Sequence, residues 1–331
     1  MQRSHPIWAV TDGRAGNVRQ AVALARSLQS GPRRLSLEPR APWLWAAPRR
    51  LPGSHHAYGP AFEGLLEQPP EIAVGCGRQA ALALRLLRAR GSRTVQILDP
   101  RIDPRHWDLV VVPRHDRVRG ANVLTLDGSL NPVDDRWLTA GRAAWPHFAS
   151  LPGLRTAVLV GGPTAHAPWD PEVMARQFTL IADRIRSTGG SILATTSRRT
   201  PPAVAQALLS AFSGLPSVIW SDGGDGPNPY AGLLGWADRI VVTPDSVNLL
   251  SEACATRVPV AVLMASSAQG RMARFQGHLR ESGRLAKWLD ELAEPAPAET
   301  ITPLRETARI AAEVRERLGL PALADGPGRQ G

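Results

Sequence analysis

Short, wholly apolar runs alternate along this chain with stretches of helical periodicity, and that alternation sets the first expectation. Residues 7–10 read as a buried strand, followed by the loop Thr11-Asp12-Gly13-Arg14-Ala15-Gly16-Asn17. Beyond it Ala21, Leu24, Ala25 and Leu28 recur at steps of three and four, which gives a helix one apolar face, and Gly31-Pro32 ends it. The pattern returns as a strand over 71–74, the loop Gly75-Cys76-Gly77, a helix over 79–90, and strands over 94–98, 109–112 and 122–126. Leu109-Val110-Val111-Val112 is apolar at every position, as a strand of a parallel sheet covered on both faces must be.

Between 128 and 152 the pattern lapses into Asn131-Pro132, Trp137, Trp145-Pro146 and Pro152-Gly153, and a domain junction is expected there. A second set follows, with a strand over 156–160 and the loop Gly161-Gly162-Pro163-Thr164. Asp170-Pro171-Glu172 supplies an N-cap and an N1 proline to the next helix, which Gly189-Gly190 stops. Then come a strand over 191–195, the loop Ser197-Arg198-Arg199-Thr200-Pro201, a helix over 202–212, and strands over 217–220 and 239–243. A helix over 245–256 and a strand over 258–264 complete the set. Further helices are expected near 271–280, 285–292 and 303–318. The implied fold class is α/β, with two doubly wound Rossmann-like domains facing a cleft. The first covers 1–150, the second 151–300, a helix over 301–320 crosses back to the first, and 321–331 form a loose tail.

Composition narrows the partners. A chain of 331 residues exceeds the usual size of one core, and 43% hydrophobic with 21% charged residues is globular composition. The net charge of +10 resembles a nucleic-acid signal, yet Lys287 is the only lysine and the arginines are scattered. With aromatics at 5% there is no stacking platform either, so no nucleic-acid partner is expected. A positive surface does favour nucleotide diphosphates or acidic lipid headgroups. The only cysteines, Cys76 and Cys254, are too few for a disulfide framework, which fits a reducing cytoplasm. No apolar run has the length of a signal peptide or a membrane span, so a cytoplasmic chain is expected.

In parallel α/β sheets ligands bind beyond the carboxyl ends of the strands. The strongest candidate is the run from Trp236 to Ala253, in which a buried strand turns through Thr243-Pro244-Asp245-Ser246 into a helix beginning near Val247. Unpaired amides and the positive end of the helix dipole make a phosphate site without any lysine. Glu252, two turns on, is placed to accept hydrogen bonds from ribose hydroxyls. The competing reading makes Asp245 or Ser246 a plain N-cap.

This run resembles the nucleotide-sugar-binding strand and helix of glycosyltransferase-B (GT-B) enzymes, including the lipid-linked N-acetylglucosaminyl transferase of peptidoglycan synthesis. The whole chain resembles the mitochondrial-fission (elongated-mitochondria, Elm-type) family. Carrying that resemblance are the loop 11–17 with Gln20, Gly75-Cys76-Gly77-Arg78, Val112-Pro113-Arg114-His115-Asp116, Gly161-Gly162-Pro163, Thr196-Ser197-Arg198-Arg199-Thr200-Pro201, Asn228-Pro229-Tyr230 and Val242-Thr243-Pro244-Asp245-Ser246. In plants the family is associated with recruiting a fission dynamin to mitochondria, while bacterial members resemble sugar transferases of envelope polysaccharide. The stretch 33–61 departs from the pattern, which leaves an acceptor site there in doubt.

The resemblance implies transfer of a sugar from a nucleotide diphosphate donor to a saccharide or lipid-linked acceptor, with the second domain binding the donor and the first facing the acceptor. The leaving diphosphate must be neutralised and the acceptor hydroxyl must lose a proton. Arg198 and Arg199 can pair with phosphate oxygens through forked donors, or be ordinary surface arginines. Gly161, Gly162, Ser197, Asn228, Thr243, Asp245, Ser246, Val247 and Glu252 complete the expected donor set. No Asp-x-Asp triplet occurs, so neither a metal nor a cofactor is expected. His115 with Asp116 is the favoured base, because imidazole titrates near neutrality and a carboxylate can orient it; Asp12 competes. Gly13, Arg14, Gly16 and Asn17, with Gly75, Gly77 and Arg78, form the expected acceptor-side loops.

Three alternatives remain. Arg33, Arg34, Arg40, Arg49 and Arg50 with Trp43, Leu44 and Trp45 suit contact with the inner face of an anionic membrane, although packing of the tryptophans is preferred. Gly75-Cys76-Gly77-Arg78-Gln79-Ala80, with Asp99 ending the next strand, matches a dinucleotide fingerprint and so an NAD-dependent reductase or epimerase. A non-catalytic scaffold that kept the fold is the third.

Overall fold

The computed structural model of the protein describes residues 7–286 and 301–321. Two compact units divide the chain. The first opens with β1 (Trp8–Thr11), α1 (Ala15–Leu28), β2 (Arg33–Ser36), α2 (Trp43–Ala46), α3 (Pro60–Leu65), β3 (Ile72–Cys76), α4 (Arg78–Arg88), β4 (Arg93–Ile97), β5 (Leu109–Pro113) and β6 (Val123–Leu126). Its six strands pair in the order β2-β1-β3-β4-β5-β6, all parallel. Strands β3 and β5 are buried at every position, as their unbroken apolar runs require.

The second unit contains α5 (Asp135–Ala144), β7 (Arg155–Val160), α6 (Pro171–Thr188), β8 (Ser191–Thr196), α7 (Pro202–Ala211), β9 (Ser217–Trp220), α8 (Tyr230–Trp236), β10 (Arg239–Val242), α9 (Val247–Cys254), β11 (Val260–Val262) and α10 (Gly270–Glu281). Its five parallel strands run β11-β10-β7-β8-β9. Helix α6 starts as its sequence dictates: Asp170 accepts the amides of Glu172 and Val173, and Gly189 ends it in the left-handed region.

The last helix, α11 (Glu306–Leu318), belongs to the first unit. Ile310, Ala311 and Val314 are buried with Ala21, Leu24, Ala25 and Leu28 of α1. Thr307 pairs with both the amide and the carbonyl of Asn131, and Glu306 accepts the Asp127 amide at 2.8 Å.

Several boundaries differ from the sequence reading. The units divide between Pro132 and Val133 rather than at 150. The physical reason is helix α5, which packs so closely on α8 that a Cβ on Gly141 would lie 2.3 Å from the Ala231 carbonyl oxygen. Helix α9 begins at Val247 rather than 245, and β11 spans only part of 258–264. Strand β2, with the sequence RRLS and no buried residue, has no apolar signature and was not expected. Of the helix expected near 285–292, residues 285 and 286 are not helical and 287–292 lie outside the described residues, as does the tail beyond 321. Among those residues no helix is long and apolar enough to cross a membrane.

Candidate functional site

Each sheet reverses its direction of growth once. In the first unit this happens between β1 and β3, in the second between β7 and β10. At such a switch point the two connections leave in opposite directions and open a crevice at the carboxyl ends of the strands. The expected loops fall there: Asp12–Asn17 after β1 and Gly77 after β3 in one unit, Gly161-Gly162 after β7 and Thr243–Ser246 after β10 in the other.

In the second unit a buried network holds the β10–α9 turn. The Thr243 hydroxyl accepts the Gly161 amide at 2.8 Å. Asp245, with no side-chain exposure, accepts the Gly162 amide at 2.9 Å and the indole N–H of Trp169 at 3.1 Å. Arg199 extends over the turn to the same carboxylate, NH2 to Oδ2 3.5 Å, while its own side chain stays 55% exposed. The Thr200 hydroxyl bonds the carbonyl of Gly161, and Ser197 Oγ accepts the Arg199 amide, which ties the loop after β8 to the loop after β7. On α10, Gln276 donates to the Pro244 carbonyl at 2.9 Å.

What remains open at this turn is backbone. Ser246 caps α9 by accepting the Leu249 amide at 3.3 Å. The amides of Val247 and Asn248 have no acceptor among the described residues. They carry the positive end of α9 just beyond Asp245, the carboxylate that Arg199 reaches, and Arg198 is exposed on the Arg199 loop. This arrangement can neutralise a phosphate.

Five expected donor residues have other work. Asp245 faces inward, for the reasons given. Glu252 is 1% exposed and accepts the Tyr230 hydroxyl at 2.6 Å, so it joins α9 to α8 rather than presenting itself to a ribose. Gly161 and Gly162 are glycine because a Cβ would lie 2.1 Å from Asp245 Oδ2 and 2.1 Å from the Arg199 carbonyl oxygen respectively. Their amides are already bonded, so close packing of three loops, not a ligand, demands them. Asn228 spends its Oδ1 on the Tyr230 amide at 2.9 Å, at the start of α8.

In the first unit Asp12 accepts the Arg14 amide at 3.1 Å and the Asn17 side-chain amide at 2.9 Å, and Arg14 Nε stands 3.6 Å away. With its side chain 6% exposed, Asp12 braces the loop. Gly13 and Gly77 take positive φ, and a Cβ on Gly77 would meet the Asn17 amide at 2.6 Å. Gly16 lies inside the first turn of α1, whose opening has no side-chain cap. Gly75 lies within β3, where a Cβ would come 2.7 Å from Leu84 of α4; strand-to-helix packing accounts for it, and the dinucleotide fingerprint draws no support. Arg78 is exposed, its NH2 3.4 Å from the Leu44 carbonyl oxygen. Burial and the Asp12 charge push the Cys76 thiol far up, so it stays protonated.

His115 and Asp116 follow β5. Their Nε2 to Oδ1 separation of 4.0 Å is an ion-pair distance, too long for a hydrogen bond. Strand β5 stands three places from β1 in the sheet, about 14 Å at ordinary strand spacing, so His115 and Asp12 do not meet in one site of this unit.

Sequence reasoning missed Trp169 and Gln276, which bond the β10–α9 turn, and gave Thr200 no role within the loop after β8. Trp169 immediately precedes a helix N-cap and carries no motif; its role depends on an inward indole that no pattern reveals. The tryptophans of the basic segment divide: Trp43 bonds the Pro52 carbonyl, whereas Trp45 is 72% exposed, and Leu51 of the same segment is exposed too.

Two all-parallel sheets, each with loops gathered at a switch point, define a GT-B fold. A glycosyltransferase from Rickettsia africae has a similar structure, with a TM-score of 0.52 at 11% identity over 96% of this chain and 99% of that one. UDP-GlcNAc 2-epimerase from Methanocaldococcus jannaschii gives 0.53 at 11% identity over 94% and 99%. At this identity the likeness is one of fold. The chain belongs to the mitochondrial fission ELM1 family, whose sequence model matches residues 15–318. The mitochondrial fission protein ELM1 of Arabidopsis thaliana is 31% identical over 277 residues, 75% of this chain and 64% of that protein, so the match spans less than two thirds of the plant relative.

Proposed function

We propose that the protein is a glycosyltransferase whose second unit holds the diphosphate of a nucleotide-sugar at the β10–α9 turn. The observation that carries this reading is that the Val247 and Asn248 amides have no acceptor among the described residues, at a turn whose Asp245 carboxylate is reached by the Arg199 guanidinium. Amides and arginine take the charge of the leaving diphosphate without a metal. The acceptor is a saccharide or lipid-linked sugar of envelope polysaccharide, and His115 takes the proton from its hydroxyl. A His–Asp pair at 4.0 Å is of the kind that tightens when a substrate is bound. Exposed Trp45 and Leu51 among Arg40, Arg49 and Arg50 serve as the contact with an anionic membrane surface where a lipid-linked acceptor would reside.

Uridine diphosphate and its sugars at about 100 times Kd should raise Tm by roughly 5–10 °C, whereas NAD should not. Arg199→Ala should weaken that binding roughly 10–100-fold, the worth of a charge-assisted hydrogen bond. His115→Ala should leave binding intact and lower turnover, which a chelator should not affect. Absence of any shift with nucleoside diphosphates would move the assignment to the second reading, a non-catalytic scaffold. That reading draws on the internal commitment of Asp245 and Glu252 and on the fission role in the plant relative's name.

A further inference from the structure

At the opposite, amino-terminal edge of the first unit's sheet lies an open, shallow cavity of about 950 Å³. It opens between the last residue of α4, the turn over 103–108 that leads into β5, the loop over 119–122 that leads into β6, and the end of α11. Of the loops discussed above only the connection after β5, which carries His115 and Asp116, runs on to it; the others leave the opposite ends of the strands. Four arginines line it, Arg88, Arg105, Arg119 and Arg317, against two carboxylates, Asp103 and Asp108.

The charges do not cancel. Arg88 is paired with Asp108 at 3.0 Å and Arg105 with Asp103 at 2.6 Å. Arg119 reaches only the carbonyls of Arg114, Asp116 and Val118, and Arg317 only the carbonyl of Ala121. A carbonyl accepts a hydrogen bond but neutralises no charge, and neither arginine has a carboxylate partner among the described residues. The C-terminal ends of α4 and α11 each bring the equivalent of about half a negative charge, so about one positive charge of the two stays uncompensated. Arg317 also keeps its Nε and NH2 groups without acceptors, a fork suited to two oxygens of a phosphate.

We infer that this cavity is a second binding site, for a soluble phosphate ester of up to nucleotide size. The exposed large apolar residues Trp45, Leu51, Leu180 and Leu209 are all absent from its lining, so it offers nothing to insert into a bilayer. A phosphate seated here lies between the segments that precede β5 and β6, and the segment that Arg119 braces from Arg114 to Val118 includes His115 and Asp116. Occupancy thus bears directly on the loop carrying the proposed base.

The test uses the full chain carrying Arg199→Ala, which removes the donor contact in the second unit, and inorganic pyrophosphate as the probe in titration calorimetry. One equivalent should still bind, and adding Arg317→Ala should weaken it at least tenfold. Arg317→Lys, which keeps the charge and loses the fork, should fall between the two. Arg119→Gln provides a second, independent lining variant, also weakening. No binding in the Arg199→Ala chain, binding indifferent to both lining variants, or binding only to phosphatidylglycerol vesicles would overturn the inference. Failure of the donor-site reading shows itself differently, as an Arg199→Ala chain that binds uridine diphosphate like the wild type.

Discussion

The inward-facing carboxylate of Asp245 is open to a quantitative test. Asp245→Ala strands two buried donors, the Gly162 amide and the Trp169 indole, each costing about 1–3 kcal/mol when left without an acceptor. Losing the ion pair with half-exposed Arg199 adds at most about 1 kcal/mol, and removing a desolvated charge returns part of the sum. The expected net destabilisation is about 3 kcal/mol, with Asp245→Asn at roughly half because it keeps one acceptor oxygen. The same geometry predicts a coupling. Gly161→Ala places a Cβ 2.1 Å from Asp245 Oδ2 and should cost about 1–3 kcal/mol in the wild type. In the Asp245→Ala chain the obstructing oxygens are gone, so the same substitution should cost less than about 0.5 kcal/mol. Urea denaturation of the four chains, read by tryptophan fluorescence, gives the cycle. Additive effects, or an Asp245→Ala chain within about 0.5 kcal/mol of wild type, would show that the carboxylate does not hold this network and would return it to the ligand-facing side.

Two further outcomes follow from burial and exposure. Both thiols are fully buried, Cys254 is pushed up from 9.0 to about 12 and Cys76 higher still. The folded state therefore keeps protons that the unfolded chain gives up. Stability is fully present below pH 9 and should fall above it by about 1.4 kcal/mol per pH unit for each thiol, until the folded thiol ionises. Denaturation midpoints between pH 8 and 11 check this, and a Cys254→Ala chain with an unchanged slope would contradict it. In the membrane-facing segment, Trp45→Ala should reduce co-sedimentation with phosphatidylglycerol vesicles several-fold while leaving Tm unchanged, since the side chain is 72% exposed. Equal pelleting of both chains would remove that contact from the proposal.

The parallel strands were legible because they are buried on both faces and therefore apolar without interruption, as in Leu109-Val110-Val111-Val112. Strand β2 was not, since an edge strand of exposed Arg33, Arg34 and Ser36 with half-buried Leu35 is held by backbone pairing to β1 and leaves no side-chain pattern. Helices α5 and α8 were hidden for another reason: their mutual packing uses Gly141 and Gly232, so residues that read as turn formers lie within close helix contacts. At the site, the loops could be found because they follow strands. What each residue does in them could not. A glycine that admits a ligand and one that admits a neighbouring carboxylate look alike in sequence, and only the 2.1 Å approach of Asp245 to a Cβ on Gly161 separates them. Glu252 likewise had the right spacing for a ribose, but a partner 22 positions earlier, Tyr230, had already taken it.

The return of α11 makes the first unit discontinuous in sequence, with the whole second unit inserted between Pro132 and Glu306. During synthesis, then, the face of α1 that receives Ile310 and Val314 must wait for some 280 residues to be made, the whole second unit among them, before it is covered. The inserted unit is complete by then. The first unit is thus begun before the second and finished after it, and a chain cut after Pro132 would expose an apolar helix face to whatever binds such surfaces in the cell.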